Sequence, residues 1–162
     1  MSQGVSTEAE NFARSYAALF ASPAASSAED VADLAIEIGR YYRPGMTMYT
    51  NGNIARFETQ AEAAKLVETE MRNNISIGLG TKLILETIER IVPYSETSAL
   101  CWLRWSFHPQ EGSEFEGRGW TFTNIYAFRA ASAGVDAGWE FVVRDHEVNE
   151  ILRVTGRTFE GS

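Results

Sequence analysis

Three apolar segments in the last third of this chain, 99-ALCWLRWSFH-108, 118-RGWTFTNIYAFR-129 and 138-GWEFVVRDH-146, carry large rings at alternating positions. A strand turns successive side chains to opposite faces, so each segment divides into two rows. One row reads Ala99, Cys101, Leu103, Trp105, Phe107. The next reads Trp120, Phe122, Asn124, Tyr126, Phe128, and the third Trp139, Phe141, Val143, Asp145. A slip of one residue would exchange the faces of a strand, so keeping all three rows together constrains the pairing. A loop centred near Gly112 and Ser113 pairs Leu103 with Phe122, Trp105 with Trp120 and Cys101 with Asn124. A second loop, centred near Ala133 and Gly134, pairs Tyr126 with Phe141, Asn124 with Val143 and Phe122 with Asp145. The expected result is one sheet face of rings holding a carboxylate, an amide and a phenol, the mixture a ligand cavity uses.

The first half has helical spacing instead. Ser6 or Thr7 can cap a first helix whose buried stripe is Phe12, Tyr16, Leu19 and Phe20. A second helix opens at Ser27 with Val31, Leu34, Ala35 and Ile38 on its apolar side and Gly39 near its end. Arg43-Pro44-Gly45 predicts a turn. Met46–Thr50, Asn51-Gly52 and Ile54–Phe57 predict a hairpin, since Asn-Gly suits a two-residue turn. Thr59 caps a third helix over 60–75, and a long strand follows over 82–92. After Asp145 the tail Glu147–Leu152 predicts one helical turn. This order of elements predicts an α+β fold, with no internal repeat.

At 162 residues, 44% of them hydrophobic, the chain is expected to form a single domain over 1–162 with a real core. A net charge of −8 argues against nucleic acid and against an anionic membrane surface as partners, because both need clustered Lys and Arg. No apolar run reaches the ~18 residues of a membrane span. The start MSQGVSTEAE has neither a basic leader nor an apolar stretch. With a single cysteine, Cys101, this predicts a cytoplasmic protein in a reducing compartment. Cys101 reads as a small buried hydrophobe.

The element order, the 41-YYRPGMTMYTNG-52 start of the first strand, the helix after Phe57 and the Gly138-Trp139-Glu140-Phe141 opening of the last strand together resemble the nuclear transport factor 2 superfamily, especially its SnoaL-like branch. The resemblance implies a cone, in which a strongly curved mixed or antiparallel sheet wraps three helices from the N-terminal half and leaves a pocket at its open end. It further implies a homodimer through the outer sheet face. As an activity it implies a cofactor-independent isomerase, dehydratase or cyclase acting on a small apolar molecule. A non-catalytic binding or dimerisation module of the same shape is the alternative, since a fold does not fix a function.

Asp145 continues the apolar phase of its strand. A carboxylate there is desolvated and suited to act as a catalytic base. Its structural alternative is a strand-end cap or an ion pair with Arg144 or Arg153. Alternation points His146 away from that face, and a bulge near Arg144 would exchange the two. Tyr16 and Asn124 are the further catalytic candidates, each able to steady an oxygen that gains charge. Tyr49, Trp105, Trp120, Phe122, Tyr126 and Phe141 are the candidate substrate-binding wall, or else plain core. Glu86 and Glu89, with Lys82 and Arg90, read as a solvated face. The spacing of His108, His146 and the acids makes no metal set, and no phosphate-cradling glycine loop is present, so neither metal nor cofactor is expected.

Overall fold

The computed structural model describes residues 2–157; Met1 and residues 158–162, the extreme ends of the expected 1–162 domain, lie outside them. Helix α1 (Ser2–Phe20) is followed by a short 3-10 turn and α2 (Val31–Gly39). Strands β1 (Tyr42–Thr50) and β2 (Asn53–Phe57) form the predicted hairpin, and α3 (Gln60–Ser76) follows. Then come β3 (Lys82–Pro93), β4 (Ser98–His108), β5 (Trp120–Arg129), β6 (Gly138–Val143) and α4 (Asp145–Thr155). The strands make one six-stranded sheet in the order β2-β1-β6-β5-β4-β3. Only the β1–β6 pair is parallel, so the sheet is mixed. Bulges in β3 and β6 and an irregularity in β1 interrupt the ladders, and such interruptions add local bend and twist. With α1 laid along β3 and β4, the result is the α+β cone that the resemblance implied.

Local chemistry explains most boundaries. Thr59 Oγ1 accepts the backbone N–H of Glu62 at 3.2 Å, the expected cap of α3. The β1–β2 turn places both Asn51 and Gly52 at positive φ (49° and 85°), which favours these two residue types. Gly39 ends α2 where that helix meets α3. A Cβ there would lie 2.9 Å from Ala64 Cβ and from Gln60 O, so only glycine lets the two helices approach.

Several expectations are corrected. The α1 helix starts at Ser2, ahead of the Ser6 or Thr7 cap, and Val31 opens α2 behind Asp30. Arg43-Pro44-Gly45 lies inside β1, where the irregular pairing and the φ of 87° at Gly45 absorb what looked like a turn. In β4 and β5 the pairing is displaced by two residues: Leu103 faces Asn124, Trp105 faces Phe122, and Phe107 faces Trp120. A two-residue slip keeps every side chain on its face, so the ring row survives, and Phe107 stacks on Trp120 with centroids 4.6 Å apart.

The β5–β6 pair departs by one residue, with larger consequences. Arg129 faces Gly138 and Phe128 faces Trp139 as the predicted register requires, but Ala127 then faces Phe141 and Tyr126 faces Val142. Glu140 is the extra residue, and its carboxylate takes both Nε and Nη2 of Arg129, at 2.8 and 3.1 Å. Beyond it the phase is inverted: Val142 turns inward, and Phe141 and Val143 outward. The strand stops at Val143, and α4 replaces both the expected strand end and the single helical turn of the tail.

Candidate functional site

Between α1, α3, α4 and the concave face of the sheet lies a cavity of about 100 Å³. That is well beyond the ~10–15 Å³ a single water occupies. Apolar residues from eight elements line it, including Phe20, Met48, Leu66, Trp120, Phe122 and Ile151. The polar end gathers Tyr16, Tyr42, Glu70, Asn124, Tyr126, Arg144 and Glu147.

Glu147 is the residue the sequence reading missed as a site candidate. It sits in the first turn of α4, with Val148 and Ile151 buried on the same side of that helix. Its Oε1 accepts Asn124 Nδ2 at 2.8 Å. Burial pushes its carboxyl up to about 7; the nearby Arg144 charge and the Asn124 hydrogen bond oppose the shift, and Glu70 adds to it. A helix-period reading of 144–155 would have found Glu147, because Arg144, Val148 and Ile151 recur at helical spacing.

Arg144 immediately precedes α4 and points inward because of the bulge at Glu140. Its Nη1 lies 2.8 Å from both oxygens of Glu70 on α3, and its Nε donates to Thr50 Oγ1 at 3.2 Å. The two side chains are 14% and 15% exposed. Burial works against the Arg144 charge, but the carboxylates of Glu70 and Glu147 hold it protonated. The phenols complete the polar end. Tyr16 and Tyr42 hydroxyls lie 2.5 Å apart, and Asn124 Nδ2 is 3.4 Å from the Tyr126 hydroxyl. Desolvation raises all three phenols above their ordinary value, so they remain neutral donors. Asn124 is 2% exposed, and its Oδ1 has no hydrogen-bond partner among the described residues.

Of the residues singled out from sequence, Tyr16, Asn124, Trp105, Trp120, Phe122 and Tyr126 meet at this cavity. Asp145, Tyr49 and Phe141 do not. Asp145 opens α4, where its Oδ1 accepts the backbone N–H of Asn51 at 2.8 Å. Asn51 and Asn149 exchange amide hydrogen bonds beside it, so Asp145 helps tie the β1–β2 turn to α4. Tyr49 has the opposite parity from the inward Met46 and Met48. It meets Phe141 on the outer face with ring centroids 6.1 Å apart. His146 is exposed, with its Nδ1 accepting the Thr123 amide at 3.0 Å. Glu86 and Glu89, read as solvated, accept hydroxyl hydrogen bonds from Ser106 and Thr123 on that outer face. Cys101 is fully buried, and burial pushes its thiol up to about 12. Among the described residues no three His, Cys, Asp or Glu side chains are placed to hold a metal ion. No helix among them is long and apolar enough to cross a membrane.

No family model matches the sequence, and no curated protein matches it. Solved structures do match in shape. A nuclear transport factor 2 (NTF2-like) superfamily protein from Salmonella enterica superposes with a TM-score of 0.57 at 13% identity, over 88% of this chain and 91% of that one. An NTF2-like protein with a cystatin-like fold from Novosphingobium aromaticivorans gives 0.57 at 15% identity, over 85% and 80%. A ketosteroid isomerase-like protein from Erwinia carotovora gives 0.51 at 13% identity, over 83% and 89%. Element order, sheet and these likenesses agree: the fold of this chain is the NTF2-like cone.

Proposed function

We propose that the cavity binds a small, largely apolar molecule and that Glu147 moves a proton to or from it. The supporting observation is a half-buried carboxylic acid, raised to about 7 by desolvation, at the polar end of an aromatic cavity. A group balanced near the working pH is effective both as acid and as base. The reaction class is a cofactor-independent isomerisation, dehydration or ring closure. Glu147 takes the role expected of Asp145. The neutral phenols of Tyr16 and Tyr126 are donors toward an oxygen that gains charge. Arg144 and Glu70 act on Glu147 through their charges, in opposite directions.

The test is native mass spectrometry of the copurified small molecule, followed by incubation of that molecule with enzyme in D2O. Deuterium uptake into its C–H bonds is expected to fall ~100-fold or more in Glu147→Gln, the usual scale for losing a general acid or base. Asp145→Asn should leave uptake within about twofold of wild type, because that carboxylate is spent on Asn51. Equal uptake with Glu147→Gln would refute Glu147 as the group that moves the proton, and no uptake with the wild type would leave a binding module.

The outer face supports a second copy of the chain as partner. Tyr49 is 38% exposed there, beside Phe141, and Trp102 lies under the Arg90 guanidinium at 5.4 Å. Aromatic and Arg side chains are the types enriched at interface centres. Sedimentation equilibrium is expected to give a dimer that Phe141→Glu converts to monomer. A wild-type monomer at all concentrations tested would refute it.

A further inference from the structure

The polar end of the cavity has an excess of negative charge and of hydrogen-bond acceptors. Its lining contains two carboxylates, Glu70 and Glu147, and a single guanidinium, Arg144, with no Lys or His. Glu70 occupies Arg144 Nη1 with both oxygens. Arg144 also acts on Glu147 through its charge, yet one guanidinium cannot neutralise two acids. The other groups facing Glu147 are uncharged: Tyr42 on β1, Tyr16 on α1, and Tyr126 and Asn124 on β5. Of these, Asn124 turns its N–H donor to Glu147 and leaves Oδ1 buried with no donor among the described residues. The surplus carboxylate calls for positive charge and the unpartnered carbonyl oxygen for a donor, and one group that carries both meets the two together.

We propose that the ligand of this cavity is a small organic cation, an ammonium carried on an apolar or aromatic body, held with its N–H groups on Glu147. The proposal rests on reading the cavity as a ligand site and adds the ligand's chemical class. An ammonium supplies three donors as well as the missing charge. The rings of Trp105, Trp120, Phe122 and Tyr126 line the cavity, and aromatic rings attract a cation. A carboxylate ligand would add a third acid to the cavity. An alcohol would supply one donor and leave the charge unbalanced.

Protonation follows from this. When Glu147 carries its proton, entry of an ammonium ionises it: the O–H bond breaks, the proton leaves to solvent, and the carboxylate pairs with the cation. Binding therefore strengthens as pH rises toward about 7 and levels off above it.

Isothermal titration of the full chain with benzylamine, benzyl alcohol and benzoate, at about pH 6 and about pH 8, tests the assignment. At about pH 8 the amine is expected to bind ~10-fold or more tightly than the alcohol, and benzoate weakest. At about pH 6 the ratio narrows, and buffers of different ionisation enthalpy report proton release. Glu147→Gln brings the ratio to about one. The proposal is overturned by a wild-type ratio within about twofold, by a ratio that survives Glu147→Gln, or by benzoate binding best. If the alcohol binds as well as the amine, the cavity remains a ligand site and only the charge preference is lost. If neither binds, the ligand site is refuted and the cation preference with it. The wild-type pH dependence provides a readout that does not depend on the folding of the variant.

Discussion

Arg144→Met is expected to destabilise the fold by about 3–5 kcal/mol, the range for removing one partner of a buried ion pair. Methionine fills similar space, so the loss is electrostatic in origin. Glu70 keeps a carboxylate that is 15% exposed and loses the guanidinium 2.8 Å away. Thr50 loses its Nε contact, and with it a link between β1 and α4. Glu147 loses the nearest charge that favours its ionised form, so its carboxyl moves further up. Urea unfolding at about pH 8 measures the first effect, and a carbon-13 titration of Glu147 the second. The double variant Arg144→Met with Glu70→Gln should recover most of the stability, because Glu70 is then no longer a carboxylate left without its guanidinium. A single variant within about 0.5 kcal/mol of wild type would show that water reaches the pair freely.

Glu147→Gln is expected to change stability in the opposite direction, and only at higher pH. The folded-state carboxyl is raised to about 7 from an ordinary value of 4.5. The folded protein therefore holds the proton more tightly than the unfolded chain. A raised pKa contributes stability that is complete below about 4.5 and lost as pH climbs through about 7. The amount is about 3 kcal/mol for a shift of this size. Subtracting the wild-type unfolding free energy from that of the variant removes the other carboxylates' slopes. The difference should be flat below about pH 4.5, rise through neutrality and level off in the variant's favour by up to about 3 kcal/mol. A difference independent of pH would mean that Glu147 titrates like an exposed acid. Stabilisation together with loss of deuterium exchange would fit a site that gives up stability for chemistry.

The bulge at Glu140 separates what was legible in the sequence from what was not. The ring rows of β4 and β5 were legible because alternation is a local property. Even a misplaced loop centre moved the pairing by two residues and left Trp105, Trp120, Phe122, Asn124 and Tyr126 on the inner face. The helix stripes and the Asn51-Gly52 turn are local in the same sense. In β6 the same logic failed, because one extra residue inverts every position after it. Nothing within Gly138-Trp139-Glu140-Phe141-Val142-Val143 marks Glu140 as that residue. Its partner is Arg129 on β5, and the inward Arg144 that results has its partner, Glu70, on α3.

By itself, then, the sequence determined the α+β order, the hairpin, and a concave wall of rings with an amide and a phenol in it. Periodicity and turn chemistry act between near neighbours along the chain. Only the tertiary structure decided which acid enters the cavity. Contacts across 11 and 74 positions, Arg129 with Glu140 and Glu70 with Arg144, go with an inverted strand phase and a chain that turns into α4. The outcome is Glu147 inside and Asp145 bound to Asn51, because electrostatic pairing between distant segments overrides the alternation that local pattern alone would continue.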